Sequence, residues 1–152
     1  MVIIKAEFHH SATISKLLVT LTRKYVLPTC DASAEQRLIP SMSMLKVESY
    51  LKQGYDYYLA QDSHANIVGV IGIKDLSHIY HLFVSDHFQR QGVAKKLWLH
   101  AKQESKQHGY HGPFTVNSAL NAQAVYQKLG FRPTGDVRNR EGIRDIPMVF
   151  VE

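Results

Sequence analysis

The chain has 152 residues, 45% hydrophobic and 20% charged, with 18 Lys and Arg against 13 Asp and Glu for a formal net charge of +5. Domains take roughly 100–200 residues, so a single domain over residues 1–152 is expected, and this ordinary globular mixture excludes disordered and fibrous classes. No window approaches the ~18 uninterrupted apolar residues of a membrane span; the one cysteine, Cys30, excludes an internal disulfide and a multi-thiolate metal site.

The opening residues carry neither a secretory nor a lipidation pattern, which makes the cytoplasm the expected location. Residues 2–7 are predicted as a short strand. Ser11 or Thr13 then caps a helix whose apolar positions Ile14, Leu17, Leu18, Leu21 and Tyr25 keep helical spacing. A second helical stretch is predicted over residues 31–53, with Asp31 as N-cap, a break at Pro40 and Ser41, and Gly54 at its end; residues 38–44 are read as mobile.

From Tyr55 the period changes to that of strands, giving an antiparallel meander over residues 55–61, 67–73 and 78–84. A helix follows over residues 92–108, with Val93, Leu97 and Ala101 on one face and Gly109 at its C-terminal end. Residues 114–117 form a strand, and a helix over residues 121–129 carries Ala122, Val125 and Leu129 as its buried stripe. Two final strands flank the turn Asn139-Arg-Glu-Gly142, and Pro147, lacking an N–H, belongs at an edge or bulge. This order of elements reads as one mixed α/β sheet with helices on both faces.

The segment most informative about chemistry is His81-Leu-Phe-Val-Ser-Asp-His-Phe-Gln-Arg-Gln-Gly-Val-Ala94, in which a strand runs through a loop into a helix that opens at a glycine. The unpaired N–H groups of a helix's first turn, with its positive dipole end, bind phosphate oxygens, and Gly92 has no Cβ to hold them off. Positive charge concentrates in the same region, as Arg90, Lys95, Lys96, Lys102 and Lys106 against Glu104. Elsewhere it is evenly spread, with no basic tail and no interleaved aromatics, so nucleic acid and membrane surfaces are not expected partners.

Together with Asn121-Ala-Gln-Ala-Val-Tyr126, Gly130-Phe131 and the ending Gly142-Ile-Arg-Asp-Ile-Pro-Met148, which follow the meander in order, this segment resembles the GNAT superfamily of acyl-CoA-dependent N-acyltransferases. The resemblance implies a mixed α/β fold with a central, mostly antiparallel twisted sheet of six or seven strands, splayed at the cofactor wedge. It implies that acetyl-CoA lies between the strand ending at Val84 and the strand ending at Asn117. The diphosphate would go to the backbone of Gln89, Arg90, Gln91, Gly92, Val93, Ala94 and Lys95. The pantetheine arm would go to the backbone of Leu82, Phe83 and Val84 and to Asn121, beside Asn117.

The same resemblance implies direct attack of an amine on the thioester, with Tyr126 protonating the departing thiolate and a strand N–H near Leu82 meeting the oxyanion. An amine of pKa near 10.4 is neutral about once in 2,500 at pH 7, a cost of roughly 4.6 kcal/mol that a base or a desolvated site must offset. Many relatives carry Glu where this chain has His78, and a neutral imidazole can serve as base there. Tyr55, Tyr57, Tyr80 and Phe83 either line an acceptor pocket or pack the core, and Met42 and Met44 either form a lid or fill gaps.

No metal is expected: strict alternation points His78 and His81 to opposite faces, and His108 and His111 straddle Gly109. The expected activity is acetyl transfer from acetyl-CoA to a primary amine of a small molecule or peptide, with a homodimer possible. The alternatives are a CoA-binding sensor that has lost catalysis and a basic nucleic-acid-binding module.

Overall fold

The computed structural model describes residues 1–152. The chain runs β1 (Val2–Lys5), α1 (Ser11–Leu21), α2 (Glu35–Leu38), α3 (Met44–Lys52), β2 (Asp56–Gln61), β3 (Ile67–Lys74), β4 (His78–Val84), α4 (Val93–Gln107), β5 (Thr115–Ala119), α5 (Gln123–Leu129), β6 (Phe131–Pro133), β7 (Arg138–Arg140) and β8 (Ile143–Phe150). The sheet has eight strands in the order β1-β2-β3-β4-β5-β8-β6, with β7 also paired to β8. Every pairing is antiparallel except β4 with β5. The strand beyond those expected is β6, only three residues long and too short to show an alternation, while β7 and β8 are the two strands expected on either side of the Asn139–Gly142 turn.

Alternation along the central strands divides the core into two layers. Tyr58, Ala60, Ile71, Ile73 and Ile79 face Val93, Leu97, Trp98 and Ala101 of α4. Tyr57, Leu59 and Val70 face Ile14 and Leu18 of α1 and Val47 and Tyr50 of α3. A sheet covered on both sides turns its central strands into continuous apolar runs, which is why β3 reads Ile-Val-Gly-Val-Ile-Gly-Ile.

The two glycines of β3 have separate tasks. A Cβ on Gly69 would stand 3.1 Å from Leu97 Cδ1 and 3.2 Å from Val93 Cγ1, so this residue sets how closely α4 approaches. A Cβ on Gly72 would overlap the ring of Tyr57, which lies across β3 at that point.

Several local expectations are corrected. Ser11 is the first residue of α1 rather than its cap, because a 3₁₀ turn over Phe8–His10 leads straight into the helix and Ser11 Oγ donates to Phe8 O at 2.7 Å. Tyr25 belongs to a π-helical turn, Thr22–Val26. Asp31 does not cap the second helical stretch through its side chain, since its carboxylate accepts from Arg144 at 2.8 Å and Asn139 at 3.1 Å.

Residues 38–44 are fastened rather than loose. Met42 is a core side chain, its carbonyl accepts from Ser15 Oγ at 2.6 Å, Tyr50 donates to Ser41 O at 2.7 Å, and Ser43 caps α3. Met42 therefore fills the core, while Met44 is exposed. On α5 the buried residue is Tyr126, and Val125 is exposed.

Pro147 is not at an edge: β8 pairs with β5 on one side and with β6 and β7 on the other. Its carbonyl accepts from Thr134 N at 2.9 Å, where β6 has ended and β7 has not begun. In an antiparallel strand a residue's N and C=O point the same way, so the missing N–H falls in that gap. No helix is long and apolar enough to cross a membrane.

Overpacking a tight contact costs about 1–3 kcal/mol. Gly72→Ala is therefore expected to lower stability by about that amount in urea denaturation, with unchanged stability as the contrary result.

Candidate functional site

The parallel contact between β4 and β5 is confined to His78↔Thr115 and Ile79↔Val116. Beyond it β4 continues against β3 and β5 against β8, so their facing edges part and leave backbone N–H and C=O groups without strand partners. A β-bulge at this level, between Gly72 and Ile73 on β3, leaves Tyr80 as the extra residue of β4. Leu82, Phe83 and Val84 lie half-buried on this parted strand, and Asn117 is exposed on β5.

After β4 the chain makes a 3₁₀ turn, Asp86–Phe88, and enters α4 through two left-handed residues, Arg90 at φ 62° and Gly92 at φ 80°. Space beside Gly92 is open: a Cβ there would meet nothing within 4 Å. Glycine is needed for the turn, and its small size also leaves the approach clear. The N–H groups of Gly92, Val93, Ala94 and Lys95 meet no acceptor in hydrogen-bonding geometry. Gln89 and Gln91 brace this turn, their side-chain amides donating to Val84 O and His87 O at 2.9 Å each. Arg90 and Lys95 are exposed, whereas the Val93 side chain belongs to the core and only its amide is available.

Tyr126 is 6% exposed, packed edge-on against Phe131 with ring centroids 5.7 Å apart. Its hydroxyl has no partner in the protein, and it is not one of the sealed polar atoms, which are Trp98 Nε1 and Arg138 Nη2. Burial pushes the phenol well above its ordinary range, so it holds its proton throughout physiological pH. Asn121 is exposed in the 3₁₀ turn Leu120–Ala122 that leads into α5.

His78 stands where β4 and β5 are still paired, its Nδ1 2.8 Å from Thr115 Oγ1. Burial, and then the charges of Lys74 and Arg138, hold its imidazole below the usual histidine range. The bulge resets the alternation, because Lys74 faces His78 while Gly72 faces His81. His78 and His81 consequently share a face of the sheet, contrary to strict alternation. They bond to different partners, and no three His, Cys, Asp or Glu side chains gather into a metal-holding group.

Sequence reasoning passed over two features. One is His81, buried at 7% exposure, with Nδ1 2.8 Å from the hydroxyl of Tyr57 and the rings of Tyr50, Tyr80 and Phe83 around it. Its signal was the Tyr57 and Gly72 pair on neighbouring strands, which only the register reveals. The other is the π-helical turn, where Lys24 and Tyr25 both bond to Asp86 and the backbone packs against Leu120–Ala122. It thus touches the segment after β4 and the segment after β5. π-turns often mark functional sites, and no simple sequence pattern announces one.

A family model described as "Acetyltransferase (GNAT) domain" matches residues 26–151. The human protein named N-acetyltransferase 8 is 30% identical over 99 residues, covering 58% of this chain and 44% of that protein. The aligned stretch is thus somewhat under half of the relative's length. Among solved structures, a GCN5-related N-acetyltransferase from Rhodopseudomonas palustris superimposes with a TM-score of 0.80 at 18% identity, covering 98% of this chain and 94% of that one. The PaiA N-acetyltransferase from Thermoplasma acidophilum, in complex with coenzyme A, gives 0.78 at 14% identity, with 98% and 97% covered. At these identities the likeness carries the fold.

Burial pushes the His81 imidazole down to about 3, so between pH 3 and 6.5 the unfolded chain binds a proton at this residue that the folded chain refuses. Stability attributable to His81 is complete above about pH 6.5 and falls as the pH drops through that window. Urea midpoints at pH 7, 6 and 5 are expected to fall more steeply for the wild type than for His81→Phe. Parallel declines would contradict the assignment.

Proposed function

Because this chain belongs to the GNAT acetyltransferase family, we propose that it moves an acetyl group from acetyl-CoA directly to a primary amine of a small molecule or peptide, using residues 1–152 as one catalytic unit. The observation that carries this reading is a pair of unsatisfied donors flanking the parted strands. One is the row of free amides entering α4 after β4, and the other is the free, protonated phenol on the helix after β5. A neighbour of the same fold, an aminoglycoside 6'-N-acetyltransferase with a TM-score of 0.70, is complexed with coenzyme A, which adds support for such a ligand.

In this reading the amides from Arg90 to Lys95 hold the diphosphate, with Arg90 and Lys95 adding charge, while the N–H of Gln89 is already given to Asp86 O. A helix N-terminus with four free N–H groups and an αL glycine suits that group. The edge of β4 at Leu82, Phe83 and Val84 that faces away from β3 extends along the pantetheine arm, with Asn117 and Asn121 opposite. The arm's amides meet free strand groups there, much as an added strand would.

Chemistry then follows from where the protein's own donors stand. A backbone N–H near Leu82 stabilises the tetrahedral oxyanion at the parted edge. Tyr126, kept protonated by burial, presents its O–H to the departing sulfur. The acceptor must lose a proton before it attacks. His78, with Nδ1 engaged by Thr115 and its basicity lowered, is neutral at pH 7 and takes that proton at Nε2. The desolvated surroundings also favour the neutral amine over its ammonium.

Tyr126→Phe is expected to bind acetyl-CoA with an undiminished thermal shift while turnover, followed by thiol release, drops by roughly 10²–10⁴. Wild-type turnover in this variant with an amine that the parent acetylates would overturn the role given to the phenol.

A further inference from the structure

We propose that His81 is a fixed neutral hydrogen-bond donor on the acceptor side of the site, and that its Nε2–H selects amines carrying a hydrogen-bond-accepting oxygen next to the nitrogen. The proposal rests on the acetyltransferase reading and adds a specificity residue to it.

Proton counting leads to this role. Tyr57 is completely buried, and its single hydroxyl proton has one acceptor within reach, Nδ1 of His81 at 2.8 Å. Buried hydroxyl donors are almost always satisfied, so Tyr57 donates and Nδ1 accepts. The contact depends on Gly72, which lets the Tyr57 ring cross β3 to reach β4. Burial keeps the imidazole uncharged, so its only ring proton sits on Nε2.

That N–H has no partner in the protein, yet it is not among the sealed polar atoms. No hydrogen bond joins it to the neighbouring phenols, of which Tyr80 donates to Tyr50 and Tyr50 to Ser41 O. His81 also lies on the stretch of β4 that has parted from β5. A donor held in this way can read an oxygen but cannot accept the proton of an amine, which separates its task from that of His78.

Surrounding charge agrees with this choice. On the same face, Lys74 and Arg138 outweigh Asp75 at His78, and the Asp145 carboxylate is occupied by Arg138 and Arg140. A polycationic acceptor finds no unpaired carboxylate in this group except exposed Asp75, whereas an oxygen beside the amine finds a waiting N–H.

Two measurements test the proposal on the full chain. Two-bond ¹H–¹⁵N NMR is expected to show His81 as the Nε2-protonated tautomer, unchanged from pH 5 to 8, and Tyr57→Phe is expected to release a mixture of tautomers. An Nδ1-protonated ring, or titration near pH 6.5, would overturn it without any need for turnover. In a thiol-release assay, an amino acid, an amino amide, an amino alcohol and a plain alkylamine of matched size distinguish carboxylate, carbonyl, hydroxyl and no oxygen.

At least one oxygen-bearing acceptor is expected to exceed the alkylamine by about tenfold or more in kcat/KM. His81→Phe should shrink that ratio to within about twofold, and His81→Gln, which keeps an N–H donor, should restore most of it. An unchanged ratio in His81→Phe contradicts the proposal. Absence of thiol release from every acceptor in the wild type would instead count against the acetyltransferase reading, while the tautomer still decides the state of His81.

Discussion

Everything distinctive about this molecule follows from two parallel strands that meet for one step and then separate. Backbone groups inside a protein are almost always paired, so an interior sheet edge is an obligation that something must meet. Here β4 and β5 part while each stays paired on its outer edge, β4 with β3 and β5 with β8. The bulge at Tyr80 bends β4 at the level where the parting starts. An extended ligand with amides of its own is the natural complement of such an edge.

The parting also explains where the unsatisfied donors collect. Because α4 starts after β4 and α5 after β5, its two sides receive a helix entrance and a helix-borne phenol. Gly69 lets α4 pack closely on β3, which fixes the helix entrance relative to the sheet. From the other face, the turn Thr22–Val26 reaches both the Asp86 segment and the Leu120 segment. The region before the meander therefore contributes to the shape of the opening and does more than cover the core.

Legibility in the sequence followed the range of the interactions. The meander, α4 and the loop into Gly92 were readable because periodicity, glycine placement and helix-end chemistry are local. The regular runs of β2, β3 and β4 appear within a residue or two of expectation. Tyr126 was singled out by a motif, whereas its burial and unpartnered hydroxyl are visible only in the fold.

What was not readable depends on register and on distant partners. Asp31 has the residue type of a cap, but Arg144 and Asn139, more than a hundred residues on, claim its carboxylate. Pro147 suggested an edge or a bulge, and the gap between two three-residue strands accommodates it inside the sheet. His81 looked like one histidine among nine; only the bulge and the crossing of Tyr57 over Gly72 reveal it as a buried, oriented donor.

The central claim is that the free amides entering α4 receive a diphosphate while the parted strands receive the arm attached to it. Calorimetric titration with coenzyme A and, in parallel, with pantetheine separates the two parts of the ligand. Saturable binding of coenzyme A, with pantetheine bound far more weakly and Gly92→Asp abolishing the difference, is the predicted result. Equal affinity for the two compounds, or no heat with coenzyme A at any concentration, would contradict the account.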